Sequence, residues 1–279
     1  MSNIKKMPEP AYWCKQKCPF CDEDKIVIAN GIIGTAEKPK MVYDRGYSFC
    51  NCKNIWFTDW KNIDQELYRG DTVEKNHSTN DNYKKGIKEV FQHHLKYQTV
   101  HNKGCDNNKF LDLGSITPTV LDEAKRLGFE TTGVDMYPRN DFGHAMIQGD
   151  FEVMNICDKY DLIWASHIFE HFKYPLKALE KCYDLLGEGG ELFIAMPDPF
   201  FIDFMNIHNF SHFLLRSHHI IWDMDSFVEE AEKIGFKVGL KRRNFIVNVI
   251  SDMHIVLIRG DKVDLTKSMY KDINMVIKR

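Results

Sequence analysis

Hydrophobic positions in the second half of the chain alternate between two periods. Segments with apolar side chains at helical spacing, such as residues 120–127 and 176–186, lie between shorter apolar runs. These shorter runs have the length and composition of buried strands and cover residues 109–113, 130–135, 160–166 and 191–196. Alternation of this kind predicts a parallel sheet with helices on both faces.

The pattern changes after residue 226. One more helical stripe ends at Gly235, and two strand-like runs follow at 236–243 and 252–258. They are close enough in the chain to pair with each other. We therefore predict an α/β fold over residues 109–279, a Rossmann-like, mostly parallel sheet that ends in an antiparallel C-terminal hairpin.

Residues 61–108 are polar and uneven. Apolar residues near helical spacing between Tyr83 and Leu95 predict one amphipathic helix in this stretch, which we interpret as a helical linker.

Cysteines are concentrated in residues 1–60, which we predict to form a small zinc-ribbon domain. Cys18 and Cys21 form one pair, and Cys50 and Cys52 form a second pair further along the chain. Two thiolate pairs at this spacing supply the four tetrahedral ligands of a structural Zn²⁺ site. Cys14 is an alternative to Cys50 as the fourth ligand.

Composition and charge restrict the kinds of protein that this chain can be. The 279 residues carry a net charge of −3, and no apolar run approaches the ~20 residues that span a bilayer. The N-terminus has no apolar core typical of a signal peptide, so we expect a cytoplasmic protein. Residues 1–60 hold nine Lys/Arg against seven Asp/Glu, a net of +2, which argues against a nucleic-acid partner.

Polar side chains follow the predicted strands. In open parallel sheets, ligands bind at the carboxyl ends of the strands, where the strand order switches. Asp112, Asp135, Asp150 and Ser166 all lie at or near such ends. A carboxylate that ends the second strand, here Asp135, can accept both hydroxyls of a ribose, which predicts an adenosine-type ligand.

The order of these segments resembles class I S-adenosylmethionine-dependent methyltransferases. "FLDLG", "TTGVD" and "IQGDF" look like the first three motifs of that family, and "YDLIWASHIFEHF" looks like its fourth-strand block. The resemblance implies S-adenosylmethionine as cofactor, with Asp135 at the ribose, Asp150 at the adenine amino group and Phe151 beside the adenine ring. The residues expected to bind the cofactor are Asp112, Gly114, Ser115, Thr117, Asp135, Met136, Asp150, Phe151 and Ser166.

The first turn departs from the family pattern of three glycines. Gly114 is kept, whereas Ile116 and Pro118 stand where the next two would be. A β-branched residue rejects positive φ, so we expect the loop to follow a different path. Thr117 or Ser115 could then bond to the cofactor carboxylate.

Histidines near the predicted cofactor are candidates for the proton acceptor. His167 follows the fourth strand, and His218 and His219 close a segment rich in aromatics and histidines that begins at residue 197. We expect His167 and one of the pair His218/His219 to face the methyl acceptor. His208 and His212 have a metal-ligand spacing, but no third ligand is evident.

Three functions remain open at this stage. The first is methyl transfer to a small molecule, a nucleotide-linked or glycan sugar, because the cysteine segment resembles zinc ribbons found ahead of sugar-modifying methyltransferases. That family has C-x2-C-G in its second knuckle, whereas Ile55 and Trp56 stand at the corresponding positions here. The second is methylation of RNA bases with the ribbon gripping RNA. The third is a non-catalytic binding module with a degenerate cofactor loop.

Overall fold

The computed structural model describes the core of the predicted α/β domain and a small N-terminal sheet. Main chain and side chains are described for residues 108–137, 143–198, 218–243 and 252–260, and for five helical positions between 85 and 91. Nearer the N-terminus, the structure describes the backbone of three strands, β1 (Ile26–Thr35), β2 (Lys38–Phe49) and β3 (Ile55–Phe57).

Strands and helices alternate in the main domain. The strands are β4 (Lys109–Leu113), β5 (Glu130–Asp135), β6 (Ala145–Gln148), β7 (Tyr160–Ser166), β8 (Leu186–Pro197), β9 (Ile220–Ile221), β10 (Phe236–Asn244) and β11 (Asp252–Arg259). The helices are α1 (Thr119–Arg126), α2 (Pro175–Leu185) and α3 (Met224–Ile234), and a short 3₁₀ helix covers Phe169–His171.

Seven strands form the main sheet, in the order β10-β11-β8-β7-β4-β5-β6. β4 to β8 run parallel, and β11 joins β8 antiparallel as the inner strand of the C-terminal hairpin. The predicted Rossmann-like fold is therefore confirmed. The chain leaves β4 toward β5 and later returns to its other side as β7, so the strand order switches between β4 and β7.

Both faces of the sheet are covered. α2 and α3 pack on one face, where Leu111, Ile163 and Ile194 are fully buried. α1 packs on the other, where the rings of Trp164 and Phe193 stack at 3.8 Å. Alternate residues of each strand supply the two faces, which explains why the central strands read as continuous apolar runs.

The helical segment before the main domain also enters the core. Phe91 is fully buried, with its ring 5.5 Å from that of Phe110 and 4.9 Å from that of Trp164. These contacts fix the segment against the same face as α1. The predicted boundary at residue 109 stays a prediction.

A second sheet connects the N-terminal strands with the main domain. Its order is β1-β2-β3-β9, and β3 pairs with β9 through Ile55↔Ile221 and Trp56↔Ile220. β9 directly precedes α3, so the N-terminal hairpin is hydrogen-bonded to the segment that carries His218 and His219.

Three strands of the structure depart from what the sequence predicted. β8 begins at Leu186 rather than 191, because the glycine-rich turn after α2 is already extended and Leu186 pairs with Tyr160. The edge strand β6 was not predicted, since it has four residues and a half-exposed pattern. β9, with two residues, was also not predicted. Within the described residues, no helix is both long and apolar enough to cross a membrane.

Candidate functional site

The turn after β4 closes tightly on β5. Gly114 has φ +73°, and the backbone N–H groups of Gly114 and Ser115 both donate to the carbonyl of Val134, at 2.8 and 3.2 Å. A Cβ atom at Gly114 would lie 3.0 Å from Cδ1 of Ile168. Glycine is therefore needed here both for the left-handed conformation and for the close approach of the chain after β7.

The conformation of Ile116 explains how the turn forms without the second glycine of the family pattern. It does not adopt positive φ, and its side chain is 39% exposed. Its N–H bonds back to the carbonyl of Gly114 at 2.8 Å, so the loop turns through Gly114 alone. Ser115 and Thr117, on either side of Ile116, are buried.

Asp112 provides a test of whether the turn suits a cationic cofactor. Burial raises the pKa of Asp112 to about 7, Ser115 opposes this shift, and the negative charge of Asp135 adds to it. A buried carboxyl beside a second carboxylate favours a positively charged ligand that would ionise it. S-adenosylmethionine carries positive charge on its ammonium and sulfonium groups, so these residues fit it.

Asp135 and Asp150 lie at the ends of neighbouring segments of the same sheet edge. Oδ1 of Asp135 accepts a hydrogen bond from the N–H of Tyr137 at 2.7 Å, which holds the turn after β5. Oδ1 of Asp150 accepts from the N–H of Glu152 at 2.9 Å. The contacts of these two carboxylates with ribose and adenine stay predictions.

Phe151 is buried rather than open at the sheet edge. Its ring centroid is 5.8 Å from that of Phe172, and Nζ of Lys181 lies 4.6 Å from its centroid. Met136 and Ser166 are half-buried at the ends of β5 and β7. The cofactor contacts of these three residues stay predictions.

His167 has an unusual backbone and two acidic neighbours. Its φ is +54°, and its N–H donates to the carbonyl of Ala195 at 2.7 Å. Nδ1 lies 3.4 Å from Oε1 of Glu170, and Nε2 lies 3.3 Å from Oδ2 of Asp252. Burial lowers the pKa of His167, but Asp252 and Glu170 outweigh this effect and raise the pKa to about 10. At neutral pH the ring is therefore an imidazolium that bridges two carboxylates.

Glu170 lies at the centre of a histidine cluster. Only 1% of its surface is exposed, and Oε1 is 4.0 Å from Nε2 of His218. Burial would raise the pKa of Glu170, but the neighbouring histidines lower it to about 2. The backbone N–H of His219 donates to the carbonyl of Glu170 at 2.7 Å, which brings the end of the insertion to the 3₁₀ helix. The sequence analysis assigned no site role to Glu170 and missed this cluster.

The structure brings His167, His218 and Glu170 together at the strand-order switch. They lie next to the turn of residues 114–118 after β4, called here the cofactor turn because the cofactor is expected to bind there. The two parts of the site are close together, since a Cβ atom at Gly114 would lie 3.0 Å from Cδ1 of Ile168, the residue after His167. The predicted zinc ligands Cys18, Cys21, Cys50 and Cys52 lie outside the described residues, as do Cys14, His208 and His212.

Solved structures similar to this chain share its fold. A Burkholderia thailandensis 1,6-didemethyltoxoflavin-N1-methyltransferase, solved with S-adenosylhomocysteine, aligns at a TM-score of 0.52 with 11% identity over 79% of this chain and 98% of its own. The cyclase SpnF aligns at 0.51 with 10% identity over 66% of this chain and 86% of its own. At such identities the similarity establishes the fold alone.

Sequence comparison is more specific. A curated ubiquinone biosynthesis O-methyltransferase of Glaesserella parasuis serovar 5 (strain SH0165) is 24% identical over 187 residues, 55% of this chain and 79% of its own length. The sequence model of a methyltransferase domain family matches residues 83–239, more than half of the chain. The resemblance seen in the sequence is thereby confirmed, and the chain belongs to this methyltransferase domain family as a class I S-adenosylmethionine-dependent methyltransferase.

Proposed function

We propose that the enzyme transfers a methyl group to a hydroxyl of a small molecule, specifically a nucleotide-linked or glycan sugar. The observation that carries the proposal is the polar cluster of His167, Glu170 and His218 beside the cofactor turn. Such a cluster offers charged donors and acceptors to a polyhydroxylated acceptor, in a position where the methyl group would lie.

The cofactor supplies an electrophilic methyl group on a sulfonium. The residues of the protein have to align the acceptor oxygen with that methyl group and take up the hydroxyl proton. His167 is protonated and held by two carboxylates, so it is suited to orient Glu170 and the acceptor rather than to accept a proton. Of the predicted pair, His218 faces Glu170, which leaves His219 as the proposed base.

Two further observations support an oxygen acceptor on a small molecule. The curated relative is an O-methyltransferase by name. The net charge of −3 is unfavourable for RNA, whose phosphates require a basic surface. RNA methylation therefore remains only an outcome of the test.

The test is a transfer assay with S-adenosylmethionine labelled in its methyl group. Three acceptor pools are compared: nucleotide sugars with oligosaccharides, phenolic small molecules, and total RNA. Label in the sugar pool supports the proposal, whereas label in either other pool contradicts its substrate class. Absence of transfer to all three, together with no binding of S-adenosylhomocysteine by calorimetry, would favour the non-catalytic alternative.

The proposed base is tested with the acceptor found in that assay. We expect His219→Ala to lower kcat by roughly 100- to 10,000-fold while affinity for S-adenosylmethionine persists. His144→Gln is the matched control, because His144 also contacts a carboxylate, Asp122, at 2.9 Å but lies beside the sheet edge strand β6. An unchanged kcat for His219→Ala would mean that alignment alone drives transfer.

We also propose that Cys18, Cys21, Cys50 and Cys52 hold one structural Zn²⁺. The support is their spacing in the sequence, which suits a closed tetrahedral thiolate site. A closed site leaves no position for substrate, so this metal would organise the N-terminal segment and take no part in the transfer.

A further inference from the structure

Glu170, His171 and His218 place three potential metal ligands around one point. One ligand atom from each side chain lies within 4.8 Å of those of the other two. Glu170 and His171 are adjacent on the 3₁₀ helix, and His218 comes from the end of the insertion, so two distant segments meet here. The imidazole rings of His171 and His218 are 4.7 Å apart, centroid to centroid.

The spacing is close to that of a metal site. Around a tetrahedral Zn²⁺ with bonds of ~2.0–2.1 Å, ligand atoms are separated by roughly 3.3 Å. Oε1 of Glu170 and Nε2 of His218 are 4.0 Å apart. Small side-chain rotations would therefore bring the three atoms to bonding distance of one ion.

The surroundings of the Glu170 carboxylate also suit a metal ligand. Both carboxylate oxygens are buried, and Oε1 lies 3.4 Å from Nδ1 of His167 and 4.0 Å from Nε2 of His218. A buried carboxylate is stable only when paired, hydrogen-bonded or bound to a metal. A metal ion at this point would give Glu170 a contact shorter than those to the histidine rings.

The surroundings supply a second layer of support. Nδ1 of His167 lies 3.4 Å from Oε1 of Glu170, and the other side of the His167 ring faces Asp252. Outer partners of this kind orient metal-bound carboxylates. Two imidazoles and one carboxylate favour a first-row transition ion over Mg²⁺ or Ca²⁺, which prefer oxygen ligands.

We propose that Glu170, His171 and His218 bind one divalent first-row transition metal ion beside the cofactor turn. Three protein ligands leave at least one coordination position open, as in catalytic rather than structural sites. This site is separate from the proposed cysteine site and does not depend on the nature of the methyl acceptor.

Co²⁺ is the probe for the test. The full-length chain, first loaded with one equivalent of Zn²⁺ to occupy any cysteine site, is titrated with Co²⁺ and followed by calorimetry and visible absorption. We expect one Co²⁺ per chain, with d–d bands and without thiolate charge-transfer absorption. A wild-type chain that binds no Co²⁺, or only with thiolate absorption, overturns the proposal.

Variants assign the ligands. Glu170→Gln and His218→Gln should each weaken Co²⁺ binding by more than the roughly 10- to 100-fold expected for His167→Ala, which removes only an outer partner. His144→Gln, the control used above, should bind as wild type. If Glu170→Gln or His218→Gln fails to unfold cooperatively on heating, His171→Gln takes its place in the test, because His171 is only half-buried. Wild-type affinity in folded Glu170→Gln or His171→Gln means that the cluster is only an ion-pair network.

Discussion

Asp112 is the residue whose protonation should report directly on cofactor binding. Its pKa of about 7, raised by burial, means that near neutral pH the carboxyl is partly protonated in the free enzyme. A cationic cofactor favours the ionised form, so affinity for S-adenosylmethionine should fall about tenfold per unit as pH decreases below 7. Calorimetry at pH values from about 5.5 to about 8.5, a range of roughly three units that includes this pKa, measures how the affinity changes with pH.

The control for this titration is Asp112→Asn, which removes the ionisable group while keeping its shape. It should bind more weakly at pH 8 and lose the slope below 7. The same raised pKa affects stability with a defined sign: the protonated carboxyl stabilises the fold relative to the unfolded chain below about pH 4, and this contribution is lost as pH rises through about 7. A wild-type affinity that stays constant across the range would exclude a contact between Asp112 and the cofactor charge.

Gly114 tests the geometry of the same turn. Alanine at φ +73° costs about 1–2 kcal/mol, and its Cβ would press on Ile168 at 3.0 Å. We expect Gly114→Ala to lower the free energy of unfolding by that amount and to weaken cofactor binding. Gly187→Ala is the control, since its Cβ would meet only the carbonyl of Tyr160 at 3.7 Å. Equal stability of the two variants in urea would show that the turn has room for a side chain.

At the scale of elements, the N-terminus of α3 links the histidine-bearing segment to the core. Oδ1 of Asp223 accepts a hydrogen bond from the N–H of Ser226 at 3.1 Å and caps the helix. Asp223→Ala should therefore destabilise the protein by about 1 kcal/mol in chemical denaturation. Asp225→Ala removes an exposed ion pair with Lys241 and should change stability by less than about 0.5 kcal/mol. The reverse order of these two effects would contradict the capping role.

Elements with a strong apolar signal could be predicted from the sequence. β4, β5 and β7 match the predicted bounds. β4 and β7 are almost entirely buried and mostly apolar, which is typical of central parallel strands. β6 and β9 escaped prediction because they are short and lie at sheet edges, where pairing rather than composition defines the strand.

The residues of the candidate site also fall into two groups, those that the sequence indicates and those that only the structure reveals. Asp112, Gly114 and Asp135 lie at the carboxyl ends of strands and could be located from the strand pattern in the sequence. The contact between Glu170 and His218 joins positions 48 residues apart and depends on how the insertion returns to the sheet. The positive φ of His167 also depends on tertiary packing, because a histidine in the sequence does not by itself predict a left-handed conformation.

At the scale of the whole molecule, the pairing of β3 with β9 couples the N-terminal segment to the catalytic domain. Ile220, Ile221 and Trp222 are almost completely buried, and His219 immediately precedes them. If zinc bound to the cysteine pairs fixes the N-terminal strands, its loss should loosen β9 and, through it, the proposed acceptor side of the site.

We therefore expect the double variant Cys18→Ser/Cys21→Ser to lose one zinc per chain in elemental analysis and to exchange its amide hydrogens faster at residues 220–222. Residues 109–113 of β4, which lie in the centre of the main sheet, should keep their protection because β4 pairs with β5 and β7 rather than with any described strand of the N-terminal sheet. Cys157→Ser is the matched control, since Cys157 is an exposed free thiol of the main domain, and it should retain both zinc and the exchange pattern. Zinc loss without faster exchange at β9 would mean that the two sheets are held together independently of the metal, and unchanged zinc content would refute the assignment of the ligands.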